Sequence, residues 1–444
     1  MTESKRILVL GSGSVSRPCV QYLLKQGHSV IVVDQYEANV KKTLSGHPNG
    51  TPVVGNAVTD AAKYIQQYRP DVVVCLLPTV FMLPTAKTCI AEGVSMIGAS
   101  YAKEEMRALD AEARAKGIRI LCEMGLDPGI DHMSAVVKIK ELQAKGGVID
   151  SFVSVCGALP DFGANNNPIG YKLSWAPESL VGASKRSAKI MVDGKLIDMP
   201  DGETYQNPAF VEIHKLGWFE TYCNADSTPY LKAYGIESAK TIQRGTLRYP
   251  GWCDMVTQMQ KLKLFEEDSR DFSGYTYASL MKELAGCKDT ATSAKTCVAK
   301  FLGIEEYATS MLKLEWLGCF EEAPVQPQKG TVRDVITAMY GRKLVFSPGE
   351  KDLIAMQHEY IVSYPNSGKR QRITSTLVDR GNVDEESAIA RTTGVPIGIG
   401  AHFVASGIVK DYGVLIPTTE DIYVPALLEL AKEGLHFVEQ ETDI

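Results

Sequence analysis

No run of apolar residues in this chain approaches the ~18 needed to cross a bilayer. Ile7–Leu10 is too short for the core of a secretion signal. The expectation is no membrane span and a cytoplasmic protein. An excess of one charge is also lacking, since 47 Lys and Arg against 53 Asp and Glu leave a formal net charge of −6. With no Lys/Arg cluster, that balance gives no electrostatic reason to expect nucleic acid. Ten cysteines are present, but none forms a Cys-x-x-Cys pair or joins histidines at metal-ligand spacing. Most lie in apolar runs, as Cys75, Cys89, Cys122 and Cys297 do, where a reduced cysteine acts as a small core residue. Neither a metal nor a disulfide is expected. Internal repeats and low-complexity segments are absent too. What remains is an ordinary globular composition, 45% hydrophobic and 23% charged. Its 444 residues suffice for two or three domains.

The stretch Ile7 to Pro18 organises the rest. Ile7-Leu-Val-Leu10 is a continuous apolar run, as a strand buried on both faces of a parallel sheet requires. Gly11 and Gly13 let the backbone turn sharply and approach a ligand, with Ser12, Ser14 and Val15 completing the turn. Ser14 to Ser16 can cap a helix continuing through Val20, Tyr22, Leu23 and Leu24, and Pro18 suits its first turn. Amides at such a helix start bind phosphate. Ser16 stands where Gly-x-Gly-x-x-Gly has its third glycine. A second apolar run, Val30–Val33, ends in Asp34, about twenty residues past the glycines, where the dinucleotide fingerprint has its ribose-binding acid. Alone, the two glycines read equally as a tight turn, and Asp34 as a solvated acid. Strand, turn, helix, strand and acid in that order make this a dinucleotide site.

Apolar runs at 7–10, 30–33, 52–54, 72–77, 94–97 and 118–122 alternate with helical patterns such as Ala61–Arg69 and Lys103–Lys116. The expectation is a doubly wound parallel sheet, with ligands beyond the carboxyl ends of its strands. The residues just after each run therefore matter: Asp34-Gln35, Asn56-Ala57, Leu76-Leu77-Pro78, Ser100-Tyr101 and Glu123 onward. From about 148 the rhythm changes. Val148–Cys156 is strand-like, Asp193-Gly194 marks a hairpin, and the residues 157–170 read as a long ordered loop. Strand patterns return at His358–Tyr364 and Gln371–Val378, around an all-helical insertion over 252–342. The tail gives helices over Ile399–Val409 and Pro425–Lys432 and a short strand, His436–Glu439.

The stretch Cys122-Glu-Met-Gly-Leu-Asp-Pro-Gly-Ile-Asp-His132 follows a sheet strand and precedes a helix. Asp127-Pro128-Gly129 is a turn, and Asp131 is a candidate N-cap. His132 reads as a proton shuttle or as a packed first-turn histidine.

These motifs, with Asn-Pro-Ile-Gly-Tyr-Lys-Leu-Ser-Trp at 167–175, Asp-Ser-Thr-Pro-Tyr at 226–230 and Arg-Gly-Thr-Leu-Arg-Tyr at 244–249, resemble the saccharopine reductase family from end to end. That is the glutamate-forming saccharopine dehydrogenase of lysine metabolism. The resemblance implies an α/β fold: a variant Rossmann domain with a doubly wound parallel sheet (1–125 and 390–444), an α/β substrate and dimerisation domain (126–250 and 343–389), and a helical domain (251–342). It further implies a homodimer and an NAD(P)-dependent oxidation of the C–N bond of saccharopine, through an imine, to glutamate and 2-aminoadipate 6-semialdehyde. Carried over residue by residue, Asp127, Tyr101 and Cys156 surround the reacting nitrogen, and Ser100, Thr246, Leu247 and Arg248 bind substrate. Gly11, Ser12, Gly13, Ser14, Val15, Asp34, Gln35, Asn56, Ala57, Leu76, Leu126, Pro128, Gly129 and Trp175 hold the dinucleotide. Asp127 would orient the amine and relay its proton, and Tyr101 would hydrogen-bond the substrate. Cys156 shapes the site or is simply a buried strand cysteine.

Two departures from the family pattern stand out. Asp34-Gln35 replaces the Cys-Arg of fungal members, which favours NAD over the family's NADP, because a carboxylate repels a 2′-phosphate. Asn224-Ala225-Asp226 replaces Asn-Arg-Asp, which removes a cation expected to hold a substrate carboxylate unless Lys172, Arg244 or Arg186 takes its place. An opine-like reductase joining another amine to an aldehyde, and a nicotinamide-binding sensor without chemistry, are the competing readings.

Overall fold

Four consecutive apolar residues suit a strand buried on both faces, and Ile7 to Leu10 are completely buried. The structure, a computed structural model, describes residues 3–383 and 385–444. In its first sheet β1 (Arg6–Leu10), β2 (Ser29–Asp34), β3 (Gly50–Val54), β4 (Val72–Cys75), β5 (Ser95–Ile97) and β6 (Arg119–Leu121) are joined by a seventh strand, Gly413–Leu415. All pairings are parallel, and the order 3-2-1-4-5-6 with the seventh strand beside β6 is that of a doubly wound dinucleotide fold. Register is set at the centre, where Ile7 lies opposite both Val30 and Val72. The expected helix over Lys103–Lys116 is instead two short helices, Glu104–Arg107 and Asp110–Ala115.

The chain divides into two compact units, one running to Gly147 and including Leu377–Val438, the other Val148–Thr376 with Glu439–Ile444. In the first, the helix Ala388–Ala405 lies against the helix Ser16–Lys25. It starts well before the expected Ile399 and contains Pro396, Gly394 and Gly398. A Cβ at Gly394 would stand 2.3 Å from Val15 O, and one at Gly398 would stand 2.9 Å from Cys19 O. Those glycines, which weaken a helix in isolation, are what let the two helix backbones meet.

The second unit is built on a mixed nine-stranded sheet. The Val148–Pro160 strand pairs parallel to Thr241–Arg248 and antiparallel to Asp352–Tyr364. The latter is followed by Lys369–Arg380 and, at the edge, Val438–Asp443. The tail strand thus runs further than expected and joins this sheet rather than the parallel one. The 157–170 segment is shorter as a loop than expected, because the strand continues to Pro160 and the residues Phe162–Ala164 form a helical turn. The Asp193-Gly194 hairpin joins Ala188–Val192 to Lys195–Met199, with φ of 49° and 79° at the turn, as a primed turn requires.

Five helices of eight or more residues occupy the 252–343 segment: Trp252–Lys261, Tyr277–Leu284, Ala294–Leu302, Thr309–Leu317 and Val332–Lys343. Their faces share one apolar core with the sheet, which places Val155 and Leu247 with Met259, Leu280, Leu314 and Ile336. Cys287 and Cys297 are paired as a disulfide, which corrects the expectation of none. The reason is the short loop that folds the Ala294–Leu302 helix back beside Cys287, bringing the two Cα atoms to 5.9 Å. Among the described residues no helix is long and apolar enough to cross a membrane.

In the first unit His28 Nδ1 accepts the Lys5 N–H at 3.2 Å, and its Nε2 lies 2.8 Å from His402 Nδ1. Burial, reinforced by the neighbouring imidazole, pushes His28 down to about 4, and burial lowers His402 as well. Histidines in the unfolded chain titrate near ~6.5. Between that value and the folded one the unfolded chain binds more protons, so stability falls as pH falls through this window. Thermal melts should therefore show a lower midpoint at pH 5 than at pH 7.5, with the difference reduced in His28→Gln. An equal pH dependence in the variant would remove the pair as the cause.

Candidate active site

The glycine turn fits the carboxyl end of β1 for local reasons. Gly11 has φ +99°, and a Cβ there would stand 3.0 Å from Leu76 O, so the turn is pressed against the end of β4. The Ser12 N–H donates to Asp34 Oδ2 at 2.8 Å, while Asp34 Oδ1 accepts the Tyr36 N–H at 2.9 Å. Both carboxylate oxygens are thereby aimed by backbone. Ser16 is not a cap: Val15 occupies that position, with no side-chain cap hydrogen bond. Ser16 Oγ instead donates to Gly13 O at 2.6 Å and lies 3.0 Å from Thr43 Oγ1, which is also 2.7 Å from Ser12 Oγ. In the third-glycine place this serine ties the turn to the following helix.

Apart from its own chain neighbours, no described atom lies within 4 Å of where a Gly13 Cβ would stand, so that side of the turn is open enough for a phosphate. Ser14 is exposed and Val15 half-buried beside it. Asn56 Oδ1 accepts the Val58 and Thr59 amides at 2.9 and 3.1 Å, and Ala57 is buried. The Gly55 N–H donates to Asp34 O, which sets this turn beside Asp34 and the exposed Gln35. The residues present suit a dinucleotide.

After β5 and β6 come two loops of the same unit. Tyr101, 40% exposed, donates its hydroxyl to Asp127 Oδ1 at 3.1 Å. The Asp127 turn is closed by Gly125 N–H to Pro128 O and Ile130 N–H to Gly125 O, both at 2.9 Å. Gly129 has φ +146°, and a Cβ there would stand 2.1 Å from Gly125 O, so only glycine closes it. Leu126 and Pro128 are buried, and Ser100 is half-buried with its carbonyl accepting the Glu123 N–H. Asp131 is not the N-cap. Gly129 takes that position, and Asp131, second in the Ile130–Ala144 helix, accepts the Gly129 N–H at 2.6 Å. His132 is fully buried, its Nε2 2.9 Å from Glu123 Oε2. Glu123 entered the sequence reading only as the start of a polar stretch. The usable signal was an acid flanked by two apolar residues, Cys122 and Met124.

The remaining expected residues lie in the second unit. Thr246 is opposite Cys156 on one side and Tyr222 on the other, so all three share a face with Arg248. Cys156 sits within its strand, not at its end, because pairing continues to Pro160. Leu247 faces the other way, and a Cβ at Gly157 would stand 2.8 Å from its Cβ. Arg248 is 4% exposed and ringed by aromatics, its guanidinium carbon 4.8 Å from the Tyr171 ring, 5.2 Å from Trp252 and 5.8 Å from Tyr222. Its Nη1 donates to Leu247 O at 2.8 Å, while the buried Nε has no partner among the described residues. Trp175, partly exposed, donates to Tyr171 Oη at 2.7 Å. Spacing gave no sign that Tyr171, Tyr222 and Trp252 would converge on one arginine.

Of the cations considered for the Ala225 segment, Lys172 is engaged by Glu350, whose carboxyl it holds below the usual range by hydrogen bonding. Arg186 is exposed. Arg244 is buried, its guanidinium carbon 4.4 Å from the Tyr230 ring, and its backbone N–H donates to Ser227 Oγ at 2.9 Å.

Comparison with known proteins matches the saccharopine dehydrogenase NADP binding domain over residues 7–121 and the saccharopine dehydrogenase C-terminal domain over 125–435. The chain is 32% identical over 439 residues to the Pyricularia oryzae saccharopine dehydrogenase (NADP+, L-glutamate-forming), covering 97% of each. It is 34% identical over 457 residues to the mitochondrial alpha-aminoadipic semialdehyde synthase of Bos taurus, covering 100% of this chain and 48% of that longer one. Apo saccharopine dehydrogenase (L-Glu forming) from Saccharomyces cerevisiae superposes with a TM-score of 0.88 at 30% identity, covering 99% of this chain and 100% of that one.

The glycine geometry separates two substitutions. Gly11→Ala combines a positive φ with a close approach to Leu76 O, and should lower stability by about 1–3 kcal/mol. Gly13→Ala, facing open space, should stay within about 0.5 kcal/mol while weakening dinucleotide binding. Denaturant melts and dinucleotide titration check both, and equal stability losses would contradict the assignment.

Proposed function

This chain belongs to the saccharopine dehydrogenase family, and we propose that it interconverts saccharopine and water with L-glutamate and 2-aminoadipate 6-semialdehyde. The carrying observation is the Tyr101 to Asp127 hydrogen bond at the carboxyl end of the parallel sheet. The nicotinamide dinucleotide, when bound, accepts or returns the hydride. Gly11 to Val15 would hold its pyrophosphate, with Asn56, Ala57, Leu76, Leu126, Pro128, Gly129 and Trp175 as further contacts. Asp34 would accept from the ribose hydroxyls, and its charge favours NAD over NADP.

The side chains then have distinct tasks. Tyr101 orients Asp127, which receives the proton of the substrate amine as the C–N bond becomes an imine, and returns one in the reverse direction. Addition of water to the imine and loss of the amine complete the reaction. Saccharopine carries three carboxylates, and Arg248 supports an acidic substrate because a buried guanidinium with an unsatisfied Nε gains most from an anion. Thr246, Leu247 and Ser100 complete the substrate contacts in this reading, and Cys156 shapes the site.

A second reading is favoured by Ala225: an opine-like reductase whose amine partner is not glutamate. A homodimer is also proposed. Phe210 and Trp218 are exposed on one face of the edge pair Ala209–Ile213 and Gly217–Cys223, where a second copy would cover them. The helical segment 251–342 is proposed as a separate domain in the evolutionary sense, although its core is shared.

Asp127→Asn should lower kcat for saccharopine oxidation by about 10²–10⁴-fold and leave dinucleotide affinity unchanged. Wild-type turnover would remove Asp127 from the chemistry. Arg248→Lys, which keeps charge but loses the planar fork, should raise KM for saccharopine at least about tenfold. An unchanged KM would take the substrate carboxylate away from Arg248.

A further inference from the structure

Behind the Tyr101 and Asp127 pair runs a buried polar chain for which the proposed reaction has no role. Glu123, just after β6, has φ +60°, a left-handed conformation that a side-chain-bearing residue keeps only when its surroundings hold it there. Its carboxylate is 3% exposed, and Oε1 accepts the Ala102 N–H at 2.9 Å. Oε2 stands 2.9 Å from His132 Nε2, a close polar contact without the alignment of a hydrogen bond. The opposite ring nitrogen, Nδ1, is 3.6 Å from Asp131 Oδ2, and Asp131 Oδ1 accepts the Gly129 N–H. Arg107 Nη2 lies 3.9 Å from Glu123 Oε1 at the outer edge.

The chain begins at the amide of the residue after Tyr101 and ends at the amide two residues beyond Asp127. The Tyr101 to Asp127 hydrogen bond closes it into a ring. Burying two carboxylates and an imidazole is a costly way to fill space, and an apolar trio would pack there at least as stably. What the polar chain adds is a fixed distance between two loops that leave different strands. We propose that Glu123 and His132 are positioning residues that hold Tyr101 and Asp127 in register, so that the Asp127 carboxylate meets the substrate nitrogen in one orientation. This rests on the saccharopine reading for its chemistry and on the buried chain for its geometry.

His132→Phe keeps the ring and removes both nitrogens, whereas His132→Gln places an amide near the Nε2 position. In saccharopine oxidation His132→Phe should lose about ten- to a hundredfold in kcat, with the KM for dinucleotide within about twofold of wild type. His132→Gln should recover most of the loss. Amide hydrogen exchange should rise together in 100–103 and 125–131 for His132→Phe and fall back for His132→Gln. Glu123→Ala attacks the chain from its other end and should give the same pattern if His132→Phe does not fold. Wild-type kcat in these variants overturns the proposal, as does faster exchange in only one of the two segments. A wild-type protein that does not oxidise saccharopine sinks the reaction reading instead, and the exchange result then decides the positioning by itself.

Discussion

The Ser12 amide bound to one oxygen of Asp34 is the contact on which the first unit's site depends. It joins the turn after β1 to the end of β2, and the Tyr36 amide on the other oxygen stops the carboxylate from swinging away. Gly11 lies against Leu76 because the turn is drawn tight, and Ser16 fastens its far side through Gly13 O and Thr43. In the proposed binding mode the same few ångströms would fix where a phosphate sits and what charge a ribose meets. The helix packing supports this from behind, since Gly394 admits Val15 O at a distance that any side chain would forbid.

The second unit solves a different problem. In the proposed reaction it has to keep a cation ready for an acidic ligand without pairing it with a carboxylate of its own. Arg248 is withdrawn from water among Tyr171, Tyr222 and Trp252, whose faces stabilise the guanidinium without consuming its donors. Glu220, opposite Arg248 in the strand pairing, turns its Oε2 to the Trp252 and Cys253 amides. Lys172 is the contrast: its ammonium is spent on Glu350 and serves structure.

The parallel sheet was legible because its strands are buried on both faces and so read as unbroken apolar runs. The Asp193-Gly194 hairpin was legible because only certain residues tolerate two successive positive φ angles. Features made by distant segments were not. Gly394 and Gly398 look like helix breakers until the Ser16–Lys25 helix is laid against them. Cys287 and Cys297 look like two more scattered thiols until their loop folds back. Glu123 carries no local mark of the left-handed backbone it adopts, and Asp131 mimics an N-cap although the turn places Gly129 there. For the site, Tyr101, Asp127 and Arg248 came from motif resemblance. The ring of aromatics around Arg248 and the buried chain behind Asp127 come from tertiary structure, which no spacing encodes.

The central claim is that a saccharopine oxidation site is joined to a dinucleotide site whose acid, Asp34, selects a free ribose. Initial rates of saccharopine oxidation with NAD and with NADP, on the same protein at the same pH, test it most directly. The account predicts turnover with both, and a kcat/KM for NAD at least about tenfold above that for NADP. Turnover that prefers NADP would contradict the role given to Asp34. No turnover with either, from folded protein that still binds a dinucleotide, would contradict the substrate and turn attention to the amine partner that Ala225 admits.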